Sequence, residues 1–153
     1  MNHIFSTCIL IVILTTIFGC DKVKNVTGGD VALVKNGTLE MDKSLTVGQA
    51  IDNYKFFKKT DWQSITTDNG RKIITVVASV DTEKHPKINK EAGVKSAEMK
   101  FEFKVNQDKT FELGWCGLAF EKNDGEKHTP PENVNLIMCM NSLKAIYNNN
   151  SEF

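Results

Sequence analysis

The chain has 153 residues, of which 41% are apolar and 25% charged, a composition that excludes collagen-like, coiled-coil and wholly disordered chains. Nineteen Lys and Arg balance nineteen Asp and Glu, so no net charge draws the chain to polyanions and nucleic-acid binding is disfavoured. The charge is unevenly spread, because the first 19 residues carry no Lys, Arg, Asp or Glu.

Residues 9–17 are almost purely aliphatic and run into Phe18, Gly19, Cys20 and the charged pair Asp21 and Lys22. The run is shorter than the roughly 20 apolar residues of a permanent membrane span and has the form of a signal-peptide core. Within it, Ile17-Phe18-Gly19-Cys20 resembles the lipobox of bacterial lipoproteins: an aliphatic residue, a tolerant position, a small residue and the cysteine to be lipidated. The resemblance covers only the first 20 residues. It implies transfer of diacylglycerol to the Cys20 thiol, cleavage after Gly19, and attachment to a membrane through acyl chains. The competing interpretation is an uncleaved signal anchor with a free Cys20, and Met1-Asn2-His3 lacks the Lys or Arg such signals usually carry. Asp21 directly after the cysteine resembles an inner-membrane retention signal, which favours the inner over the outer membrane of a cell envelope. The expected organisation is a signal peptide over residues 1–19, a lipidated tether over 20–30 and a single globular domain over 31–153.

In the domain, Val31 to Val34 is readable as a first strand, with a turn at Lys35-Asn36-Gly37. Thr46 followed three residues later by Gln49 forms a capping box, which predicts a helix over residues 47–58. Its Val47, Ala50, Ile51, Tyr54 and Phe57 make one apolar stripe, and Lys58 and Lys59 suit its C-terminal end. Phe56 points away from that stripe, so either residues 31–41 cover it or a partner does. Lys55, Lys58 and Lys59 form a small basic cluster, read as a solvated helix end or as a contact for anionic lipid.

Residues 62–67 and 72–81 are β-prone and joined by Asp68-Asn69-Gly70-Arg71, a hairpin signature. A loop follows over 82–95. Ala97, Met99, Phe101, Phe103 and Val105 then alternate with Glu98, Lys100, Glu102 and Lys104, which predicts a strand with one wet face. In residues 110–120 the parity conflicts, since Phe111, Leu113 and Trp115 fall on one side and Cys116, Leu118 and Phe120 on the other. A bulge at Gly114 reconciles them and turns Trp115 outward. Residues 121–128 read as a loop, and Thr129-Pro130-Pro131-Glu132 as a second capping box opening a helix over 130–147. The expected fold is α+β: an antiparallel four- to five-stranded meander with an N-terminal and a C-terminal helix packed on it.

If Cys20 is lipidated, Cys116 and Cys139 are the remaining thiols of an exported protein, one on a strand and one on a buried helical stripe, and a disulfide between them is expected. A zinc site from Cys116, His128, Cys139 and His85 lacks any Cys-x-x-Cys or His-x-x-x-His spacing, so no metal or cofactor is expected. His85 and His128 read as solvated loop histidines, and no nucleophile elbow, His-Glu-x-x-His, P-loop or Rossmann fingerprint is present. The catalytic assignment is therefore none. The leading expectation is a non-catalytic, periplasm-facing domain that binds an unidentified envelope protein, with Phe56, Trp115 and Trp62 as partner-binding candidates. The alternatives are a small inhibitor of a periplasmic hydrolase, braced at the 121–128 loop, and, less favoured, a periplasmic enzyme. Replacing Cys20→Ala is expected to abolish palmitate incorporation in cells, and undiminished labelling would remove the basis for the membrane address.

Overall fold

Long strands whose apolar residues alternate must bury one face and leave the other wet, and the chain meets this demand with helices on a single side. The computed structural model describes residues 28–89 and 92–152. The lipobox-like run and Cys20 lie outside them. Five antiparallel strands, β1 (Phe57–Thr66), β2 (Lys72–Val80), β3 (Val94–Val105), β4 (Phe111–Lys122) and β5 (Lys127–His128), lie side by side in chain order. Helices α1 (Gly29–Asn36) and α2 (Val47–Asp52) precede them and α3 (Leu136–Tyr147) follows. This is the expected α+β meander. No helix of the described residues is long and apolar enough to cross a membrane.

The inner face carries Ile74, Val76, Met99, Phe101 and Phe103, against which Val34, Val47, Ile51, Leu143 and Ile146 pack. Phe101 and Phe103 are fully buried, so truncating either to alanine belongs to the class of core changes costing about 3–5 kcal/mol. The hairpin between β1 and β2 is the one its sequence predicts: the Thr67 N–H donates to Arg71 O at 2.9 Å and Gly70 takes φ of 76°, a value that favours glycine.

Between β3 and β4 the register shifts by one residue, with Phe103 opposite Leu113 but Glu102 opposite Trp115. Gly114 is thus the extra residue of a bulge, as the conflicting parity requires. The shift brings Cys116 opposite Phe101 and onto the inner face. There it forms a disulfide with Cys139 of α3, across a Cα–Cα separation of 5.5 Å.

Four expectations are corrected. Residues 31–34 are not a strand but part of α1, which starts at Gly29 and so takes in the last two residues assigned to the tether. The helix expected over 47–58 stops at Asp52. Its capping box is present in full, Gln49 N–H to Thr46 Oγ1 at 3.1 Å and Thr46 N–H to Gln49 Oε1 at 2.9 Å. However, the aromatic and β-branched run from Tyr54 onward fits a pleated strand better than a helix. The last helix starts at Leu136, capped by Asn135, whose side chain accepts from Ile137 N–H at 2.9 Å; Pro131 disfavours helical backbone at Pro130, so the first-turn signal at 129–132 is void. The 121–128 loop is instead the β4–β5 hairpin, with Phe120 opposite His128.

Residues 129–135 act as a strap. Pro130 lies on the outer face, where a Cβ at Gly117 would come within 2.5 Å of its ring, yet Cys139 is bonded on the inner face. The strap therefore crosses the β4 side of the sheet. Replacing both Cys116→Ala and Cys139→Ala is expected to lower folding stability by about 3 kcal/mol, the loop-closure value for the intervening segment. Denaturant unfolding measures this, and a loss of ~1 kcal/mol or less would contradict it.

Candidate functional site

The aromatic candidates separate once their neighbours are known. Phe56 is not on a helix, so the argument from its helical angle lapses. It is half-buried, 5.4 Å from the Tyr54 ring and 4.9 Å from His85, with the Lys55 ammonium 5.0 Å from its centroid. Its cover includes His85 of the 81–89 loop. Trp62 is half-buried on the inner side, stacked 6.5 Å from Phe103 under Lys35, and its indole N–H donates to Asp52 Oδ1 at 2.8 Å. Both rings have structural work within the domain.

Trp115 differs. The bulge turns it to the outer face opposite Glu102, where its indole N–H donates to Pro131 O at 3.4 Å and the Lys100 ammonium lies 5.6 Å from the ring. The strap leads from this ring to the first turn of α3, where Leu136, Ile137 and Met138 are 49%, 68% and 64% exposed. They are the exposed large apolar side chains among the described residues. Sequence reasoning missed them, although the signal was present: Leu136, Ile137, Met138, Cys139 and Met140 are consecutive, and at 100° per residue they cannot share one buried stripe. Cys139 takes the buried direction, fully covered by its bond to β4, and this fixes the preceding turn outward.

Polar centres in the domain are occupied by structure. Asp52 pairs with Lys35 at 2.8 Å and accepts from Thr60 and Trp62, joining α1, α2 and β1. Burial works against its charge, but these partners outweigh it and hold the carboxyl below its ordinary range. Asp81 is similarly opposed by burial, and its bonds to Lys84 and the Glu83 N–H, with Lys58 nearby, keep it low. The hollow between α2 and α3, about 230 Å³, is bordered by Gln49, Asn53, Tyr54, Tyr147 and Asn149, amides and phenols without a carboxylate, imidazole or thiol. Burial, with a smaller effect of Asp42, pushes the Tyr147 phenol up to about 12. No three His, Cys, Asp or Glu side chains among the described residues converge as a metal site.

His85 is the second correction at this level. Expected in solvent, it is fully buried, and its Nδ1 accepts from the N–H groups of Lys87 at 3.2 Å and Ile88 at 3.1 Å. Only a neutral ring can accept there. Burial first, then the charge of Lys87, lowers its affinity for a proton. The unfolded chain thus binds this proton more readily below the ordinary value of 6.5, so the stability His85 supplies is complete above that pH and declines below it. Unfolding free energy should therefore fall from pH 6.5 to 5, and His85→Gln, which keeps an acceptor, should flatten that slope. An equally steep slope in the variant would assign the effect to other groups.

Comparison with known proteins returned no match: no protein family, no curated protein and no solved structure aligns with the chain.

Proposed function

We propose that the chain is a lipid-anchored bacterial envelope protein, attached through Cys20, whose periplasm-facing domain binds another envelope protein without catalysing a reaction. It would serve as an accessory part of an envelope assembly or secretion apparatus. The observation that carries the binding role is the exposed turn Leu136, Ile137 and Met138. An exposed apolar turn of this kind is what interfaces use, because large side chains excluded from water supply most of their affinity, and the half-buried Trp115 lies at the other end of the strap. The disulfide one residue beyond the turn holds the surface ready-made, so binding need not order it first. The anchor rests on the lipobox resemblance alone.

One feature favours the inhibitor alternative. The β4–β5 hairpin is short and stiff, with Lys122 N–H donating to Glu126 O at 2.8 Å and their side chains paired at 2.6 Å, a shape suited to plugging a cleft. The two roles separate by experiment. In a pull-down from detergent-solubilised membranes with the lipidated protein as bait, Ile137→Lys with Met138→Lys should weaken capture of an envelope partner by about thirtyfold, a hot-spot loss of ~2 kcal/mol. Thermal stability should stay within a few degrees of the parent, since neither residue is buried. Undiminished capture would remove this surface from the account, and stoichiometric loss of a hydrolase's activity on adding the domain would select the inhibitor.

A further inference from the structure

The basic cluster noted in the sequence changes character once the fold is known. With α2 ending at Asp52, Lys55, Lys58 and Lys59 no longer sit at a helix C-terminus, and the dipole that would account for them there is absent. The 81–89 loop instead brings Lys84 and Lys87 to join them. Asp81 holds Lys58 at 3.4 Å and Lys84 at 3.2 Å. Lys55 lies over Phe56, which touches His85, and Lys87 follows two residues on from His85. Among the described residues, Lys55, Lys59 and Lys87 have no carboxylate partner. Among the described residues, Asp81 and Glu83 are the carboxylates within the cluster, and Asp61 and Glu98 bound it along the outer face, next to Lys59 and opposite Ser79. In a chain of zero net charge, the cluster itself sets these five lysines against two carboxylates among the described residues, a local positive excess.

Its position matters. The cluster lies at the start of β1, while the chain enters the domain at Gly28, beside Trp62 of the same strand. The apolar turn of α3 belongs to the opposite, β4 side. From Cys20 to Gly28 the extended chain reaches about 27 Å, slightly less than the ~30 Å length of β1. A domain held on so short a lead lies near the bilayer.

We infer that the β1 side of the domain rests on an anionic phospholipid surface, seated by Lys55, Lys58, Lys59, Lys84 and Lys87, with the α3 turn facing away. The charge complementarity is of the diffuse kind: five lysines and no arginine, point charges that demand no bidentate geometry. Phosphate head groups, mobile in the plane of a membrane, fit such a corner better than a shaped ligand does, and each lysine adds to an attraction that reinforces a lipid anchor. The orientation rests on the proposed anchor; the charged contact does not.

The test uses the full mature protein purified from membranes and reconstituted into vesicles of phosphatidylcholine or of equal parts phosphatidylcholine and phosphatidylglycerol. Brief lysine acetylation followed by peptide mass analysis reads each side chain. Lys55, Lys59 and Lys87 should react about tenfold more slowly on the anionic vesicles, as expected for several lysines near a charged surface. The exposed Lys104 and Lys144 should react equally on both. Protection should vanish at about 1 M salt, where the Debye length is ~3 Å. Equal reactivity on both vesicles overturns the inference, as does stronger protection by soluble polyglutamate, which would assign the corner to an acidic protein. Intact mass of the same sample reports acylation of Cys20 separately: an unacylated chain refutes the anchor while its lysine protection still decides the contact.

Discussion

One extra residue in β4 governs the arrangement. Gly114 shifts the side-chain phase of the strand, so that Phe111 and Leu113 before it and Cys116, Leu118 and Phe120 after it all reach the same covered face. Without that shift, Cys116 would face solvent, the bond to Cys139 could not close, and α3 would lose the covalent tie that seats Leu143 and Ile146 on the sheet. Trp115 is turned outward by the same step. The bulge thus sets both the core and the surface proposed for binding.

The consequences divide between the two sides of the sheet. On the β4 side, a strap and a disulfide fix α3 so firmly by its fourth residue that its first three are left in water. On the β1 side, α1 and α2 are tied by Asp52 to Thr60 and Trp62, and the 81–89 loop closes over Phe56 around the buried His85. A small domain that covers one face only is marginally stable, and its exposed apolar turn contributes little to that stability. The charged corner and the apolar turn lie on opposite sides of the sheet.

Much of this was legible in the residues. The strict alternation from Ala97 to Val105 pointed to a half-wet strand, a bulge at Gly114 reconciled the contradictory parity around it, and two cysteines in a chain expected to be exported pointed to each other. What was hidden depended on tertiary contacts. Val31 to Val34 is four residues of β-prone sequence, yet Val34 fills a fully buried place under a short helix, and so few residues cannot declare their period. The end of α2 was masked because Tyr54 and Phe57 continue the helical stripe by coincidence while the sheet claims Phe57 as its first β1 residue. His85 gave no sign of burial, since the backbone donors that satisfy its Nδ1 come from its own loop. The exposed turn of α3 was obscured by the false start at Thr129, which placed Leu136 in mid-helix.

The central claim is the phase shift at Gly114, and cross-strand nuclear Overhauser contacts in isotopically labelled protein measure it without altering the chain. The account predicts backbone contacts of Phe103 with Leu113 and of Glu102 with Trp115 in the same spectrum. An unbroken register, with Glu102 opposite Gly114 and Phe101 opposite Trp115, would contradict it and detach the disulfide, α3 and the exposed turn from their common cause.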